Sequence, residues 1–149
     1  MKRFRAIGGC MLLWVAVLCA GGAAAEDEES KVALRVKVTH VSHDDGGVDP
    51  EAQELIQALA GGGISYPSAR LVREVRLDLA PGDVKSVSIG SGRKAHFQLM
   101  QADQSGALVA VDIEGGVKID ARVGRGKRPL VLDAGKVGDG KRVISIEAK

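Results

Sequence analysis

From Lys31 onward the chain consists of short runs in which aliphatic residues alternate with polar ones, cut by glycine-bearing turns, and only one stretch departs from that period. Successive side chains of a strand point to opposite faces, so such alternation predicts strands buried on one face. Lys31 to Val41 shows it most cleanly: Val32, Leu34, Val36 and Val38 share one parity, and Lys31, Arg35, Lys37 and Thr39 the other. Further strands are expected at Arg70–Leu79, Val84–Ile89, Arg93–Gln101, Ala107–Glu114, Val117–Val123, Leu130–Leu132 and Lys141–Glu147. In the first of these, Arg73 breaks the inward parity of Val75, Leu77 and Leu79, which a bulge or an exposed strand end would explain. The last strand is apolar at neighbouring positions, Val143, Ile144 and Ile146, as expected where both faces are covered.

The punctuation agrees with this reading. Pro81-Gly82 is a type II turn pair, and Gly90-Ser91-Gly92 is a second turn. Gly115-Gly116 reads as a two-residue hairpin connection between Val109, Val111, Ile113 and Ile119, Ala121, Val123. Asp133 to Gly140 carries three glycines without periodicity and reads as a loop. The exception to the strand period is Asp49-Pro50-Glu51 followed by Ala52, Leu55, Ile56, Leu59 and Ala60, an apolar stripe at helical spacing. There Asp49 is placed to cap the first turn with its carboxylate, proline suits the first helical position, and Gly61-Gly62-Gly63 ends the helix.

About eight strands and one helix between the first two point to a mainly β domain, a β-sandwich or partly open barrel. A single helix cannot make an alternating α/β fold. With no internal repeat, residues 31–149 read as one domain.

The N-terminus indicates export. Lys2, Arg3 and Arg5 precede an apolar run at Met11–Leu18, and small residues follow, the best cleavage match being Ala23-Ala24-Ala25. That run is shorter than the roughly 20 residues that span a bilayer, so no transmembrane segment is expected in the mature chain. Residues 1–25 are thus the expected signal peptide, 26–30 an acidic linker, and the mature protein periplasmic or extracellular. Leu18 before Cys19 fits a lipoprotein signal poorly.

Removing the leader takes both cysteines and Trp14 with it, leaving no disulfide and no thiolate ligand. It also leaves 18 of the 21 basic residues against 19 acidic ones, a net charge of −1. With only Tyr66 and Phe97 left as aromatics, nucleic acid is not an expected partner.

Two clusters of side chains bear on function. His40, His43, Asp44 and Asp45 are the densest group of possible ligands and with His96 would offer donors to a zinc-like ion, but a strand end followed by a polar turn is the reading that fits them better. Asp44, Asp45 and Asp49 lack the alternation of a calcium loop. Arg122, Arg125, Lys127 and Arg128 form the one basic patch, read either as a surface for an anion or acidic partner or as a solvated hairpin end. Gly124-Arg125-Gly126-Lys127 is not a phosphate loop, since no helix follows. None of the serines, among them Ser65, Ser86, Ser88 and Ser91, lies in a strand-to-helix elbow, so nucleophile chemistry is set aside. Carboxylates meeting across strands stay open. No cofactor motif is present.

The order of landmarks resembles small exported proteins of Gram-negative bacteria of unassigned function. It comprises the valine-rich opening strand, VDPEAQELIQAL at Val48–Leu59, YPSARLV at Tyr66–Val72, the turn at Leu79–Gly82, GRKAHFQL at Gly92–Leu99 and the closing VISIEA. The resemblance implies a fold and an envelope location and carries no site residues. The expectation is an exported, non-enzymatic β-rich binding or accessory module that touches an envelope protein or polymer. The alternative is a metal-binding protein or metal-dependent enzyme using His40, His43, Asp44 and His96.

Overall fold

The computed structural model describes residues 31–149; the expected leader, its cleavage position near Ala25 and the acidic segment 26–30 lie outside the described residues. Nine strands form two open sheets. The first, five-stranded sheet has the order β2-β3-β1-β9-β8, built from β1 (Val32–Ser42), β2 (Gly47–Val48), β3 (Ser68–Leu79), β8 (Leu130–Val137) and β9 (Gly140–Ala148). The second has the order β4-β5-β6-β7, from β4 (Val84–Gly90), β5 (Arg93–Asp103), β6 (Gly106–Ile113) and β7 (Lys118–Gly124). All pairings are antiparallel except the two-residue β2 against β3.

The alternation read in the sequence is the pleat of these strands. Val32, Leu34, Val36 and Val38 of β1 face the same core as Val87 and Ile89 of β4, Ala95, Phe97 and Leu99 of β5, and Val109, Val111 and Ile113 of β6. Phe97 is the largest fully buried side chain; everything else in that core is aliphatic. This is a sandwich, sheet on sheet.

Arg73 is explained by a bulge. The register of β1 against β3 slips between Val38 and Thr39, so Val72 is the extra residue of β3 and the parity of that strand reverses. Beyond the slip, Val41, Ala69 and Val143 face outward, where they form a second apolar cluster with Ala52 and Leu55 and with the partly buried Ile56, Leu59 and Tyr66. The helix α1 (Gln53–Gly61) therefore covers the outer face of the five-stranded sheet. It explains why β9 reads as apolar on both sides: Ile144 and Ile146 point to the core and Val143 lies under the helix.

Four expectations are corrected. The helix begins with a 3-10 turn at Pro50–Ala52, and Asp49 makes no side-chain cap; its Oδ2 instead accepts the Leu71 amide of β3 at 3.0 Å. The β6–β7 connection is longer than two residues, because Ile113 N–H bonds to Val117 O at 2.9 Å with Glu114, Gly115 and Gly116 between them. The stretch after Leu132 is not a loop: β8 runs to Val137 with a register slip between Asp133 and Lys136, and that irregularity removes its periodicity from the sequence. Gly47–Val48 adds a ninth, short strand that the loop composition conceals.

Candidate functional site

The outer face of the four-stranded sheet has the densest chemistry. Because the pairing is antiparallel, Ser86 of β4 lies opposite His96 of β5, and His96 opposite Asp112 of β6. Glu114, just past β6, reaches back over the same face. Ser86 Oγ is 2.6 Å from His96 Nδ1, and His96 Nε2 is 3.1 Å from Glu114 Oε1.

The protonation pattern follows from the partners. An ionised carboxylate only accepts, so the hydrogen of a neutral His96 ring lies on Nε2 and is donated to Glu114. Nδ1 is then the acceptor, and the Ser86 hydroxyl donates to it.

Glu114 is held from several sides. Its Oε2 accepts the Lys94 amide at 2.9 Å, its own amide donates to Lys94 O at 3.0 Å, and its carbonyl accepts Arg93 Nε at 3.0 Å. The His96 ring and then the Lys94 amide hold its carboxyl below the usual range. His96 and Glu114 side chains are 34% and 44% exposed, so the array is open to molecules in solution. Beside it lies a cavity of about 190 Å³ lined by His96, Val84, Gln98, Asp112, Lys118 and Asp120, among others.

The other predicted residues disperse. His96 sits on this face while His40 belongs to β1 in the opposite sheet, where its ring packs against Gly140. His43 lies 5.0 Å from the Tyr66 ring, and Asp44 Oδ1 accepts the Gly46 amide at 3.0 Å. The Ser68 hydroxyl, with lesser help from that amide, holds the Asp44 carboxyl below its usual range. Among the described residues no three His, Cys, Asp or Glu side chains converge as a metal site, so the metal reading gains no support from their placement.

The basic patch divides as well. Arg122 is committed to Asp103 Oδ2 at 2.6 Å and to Ser105 Oγ at 2.5 Å. Arg125 and Lys127 instead line a groove of about 360 Å³ with Arg35, Lys149, Glu54 and Glu147, where Arg125 pairs by a backbone bridge with Ala148. Arg128 is exposed. The groove mixes both signs, and Arg35 and Lys149 are already paired with Glu74 and Glu147 at 2.5 and 3.0 Å.

Sequence reading missed Ser86 and Glu114 because a serine without an elbow and a glutamate before two glycines look like surface residues. The usable signal was arithmetic: a tight turn at Ser91-Gly92 puts Gly90 opposite Arg93, and counting outward brings Ser86 near His96. The slip between Ser88 and Gly90 fixes the final offset, and the sequence does not announce it.

Neither sheet closes on itself, so the edges are the other candidate. Strand β2 covers only Ser68 and Ala69, leaving the rest of β3 as an edge, but Arg70, Arg73, Glu74, Arg76 and Asp78 and a bulge guard it. Strand β7 carries Lys118, Asp120 and Arg122, and β8 carries Asp133, Lys136 and a slip. Strand β4 (VKSVSIG) has a single charge, Lys85. Val84 on it and Met100 on the adjoining β5 are 58% and 49% exposed, more than the other large apolar side chains among the described residues.

In comparisons with family models, with curated proteins and with solved structures, nothing matches this chain.

Proposed function

We propose that this protein is an exported binding module of the bacterial envelope that holds an extended segment of a protein partner along the β4 edge. One observation carries the reading: apart from the two-residue β2, β4 is the edge strand with the fewest of the charges that keep foreign strands away, and it bears the most exposed large apolar side chain among the described residues. An unpaired edge offers main-chain donors and acceptors to any extended chain, while side chains alternating above and below the sheet select among them. Val84 and Met100 favour a segment with an apolar residue on the outer face. Export and envelope location rest on the leader read in the sequence.

The test is selection of short peptides from a displayed library against the purified protein, followed by affinity measurement on guarded variants. V84K/S88K places on β4 the kind of charge that β3 already has, and should weaken the selected peptides at least about 10-fold. V72K, on the already guarded β3, should leave them unchanged. A library that gives no saturable binder, or binders indifferent to V84K/S88K, would remove the β4 edge as the contact.

A further inference from the structure

The array on the outer face goes beyond docking. We propose that Ser86 is an activated nucleophile, with His96 as its general base and Glu114 as the residue that positions the base, and that the site takes short acyl esters.

A serine hydroxyl is a poor nucleophile until a base within hydrogen-bond reach accepts its proton, and a third group must fix the ring so that the lone pair points at the hydroxyl. Both conditions are met, and a further support lies behind them. The base lies 2.6 Å from Oγ, the carboxylate occupies the far nitrogen at 3.1 Å, and that carboxylate is itself pinned by the Lys94 amide at 2.9 Å. The Arg93 guanidinium on the Glu114 carbonyl fixes the backbone beneath it. An ordinary solvated cross-strand pair needs none of these outer supports, whereas a base that must keep one tautomer and one orientation does.

The neighbouring cavity sets the substrate. Val84 and Ala110 give it apolar wall, Gln98 and Asp120 polar wall, and Lys118, whose ammonium lies 3.9 Å from Asp112 Oδ2, is the cation on that wall that an oxygen turning anionic during attack would draw away from Asp112. Its volume of about 190 Å³ suits a short acyl group. In the reaction, Oγ bonds to the carbonyl carbon as His96 Nδ1 takes the hydroxyl proton. The carbon–oxygen bond to the alcohol then breaks, and the departing oxygen receives that proton. Water next attacks the acyl-serine with the same base, releasing the carboxylic acid and restoring the hydroxyl.

Ser88 supplies an internal control. It is exposed on the same face two residues along the strand, and it lies opposite Lys94 instead of a histidine. The purified protein is treated with a fluorophosphonate, whose phosphorus bonds to Oγ as fluoride leaves, and the sites are mapped by mass spectrometry. The expected result is phosphonylation of Ser86 about 100-fold faster than of Ser88, with H96A bringing the two together. Hydrolysis of p-nitrophenyl acetate should fall in parallel in S86A.

E114Q keeps an acceptor for the Lys94 amide and removes the charge. It should slow labelling about 10-fold and move the acidic limb of the pH–rate profile to lower pH, since a lost anion makes the base harder to protonate. Asp112, Asp120 and Lys118 around the ring, and Lys94 beside Glu114, are unchanged in that variant. Equal labelling of Ser86 and Ser88 in the folded wild type overturns the proposal without any substitution, as does labelling of Ser86 that H96A leaves intact. The proposal does not rest on the edge-docking reading: V84K/S88K tests that reading by peptide affinity, and the reactivity of Ser86 tests this one.

Discussion

Arg142 in β9 donates its Nε–H to the carbonyl oxygen of Ile89 in β4 at 3.1 Å, crossing from one sheet to the other. The reverse bond exists too, because Arg93 of β5 donates a guanidinium N–H to the Ala134 carbonyl of β8. Each sheet therefore lends the other a charged donor, and burial of Arg142 pushes its pKa down from the usual arginine value. A charge-assisted bond of this kind contributes about 1.5–3 kcal/mol when fully screened from water. Arg142 is only half-buried, so R142A should cost about 1–2 kcal/mol, read as a lower urea midpoint at unchanged slope. A midpoint equal to wild type would show that the Arg142–Ile89 bond does not help to hold the two sheets together.

Asp49 should act on β3 and not on the helix. Its carboxylate accepts the Leu71 amide at 3.0 Å, and no side-chain bond reaches the first helical turn. D49A should therefore speed exchange of the Leu71 amide and cost about 1 kcal/mol. Amides of α1 should keep their protection relative to the rest of the domain. Selective fraying of the helix would restore the capping role expected from Asp49-Pro50.

That contrast separates what the sequence discloses from what it hides. Parity within a strand is local, so the inward faces of β1 and β6 and the apolar stripe of α1 can be read directly. Arg73 even signals its bulge, because one residue out of phase is visible without knowing the partner strand. The destination of a side chain that leaves its own element is another matter. Asp49 bonds to a residue 22 positions away, and Glu114 to one 18 positions away, and both depend on which strands neighbour each other and in what register. The candidate site stayed hidden for that reason. His40 and His43 were prominent only because they are close in sequence, whereas His96, alone in its segment, is the one that gained partners on both ring nitrogens.

Acid should loosen the fold. Asp103 is held far below the usual carboxyl range by the Arg122 guanidinium and then by the Ser105 hydroxyl and amide, and the Arg35 guanidinium lowers the pKa of Glu74. A carboxyl depressed in the folded state contributes stability above its unfolded pKa, near 4, and loses that contribution as pH falls toward its folded value, because the unfolded chain binds the proton first. The melting temperature should therefore be flat in this respect above about pH 5 and decline below about pH 4. R122A removes the largest cause of the Asp103 shift and should make the acid decline shallower. An R122A profile parallel to wild type below about pH 4 would show that the pair does not persist in solution.

Two glycines should respond to alanine in opposite directions. A Cβ on Gly106 would overlap the Val123 carbonyl oxygen and stand 2.9 Å from Gly124 Cα, both backbone atoms of the paired strand β7, which cannot move aside without breaking the ladder. Overpacking of this kind costs about 1–3 kcal/mol, and with backbone as the obstacle G106A belongs at the upper end. Gly61, by contrast, ends α1 with open space for 4 Å around the position a methyl would take, and without a positive φ. Alanine there restricts the unfolded chain and favours the helix, so G61A should raise stability by about 0.5–1 kcal/mol. Chemical denaturation of both variants checks the pair. A neutral G106A would mean that β6 and β7 lie further apart at Gly106 than the contact with Val123 requires, and would loosen the register on which the outer face of the four-stranded sheet depends.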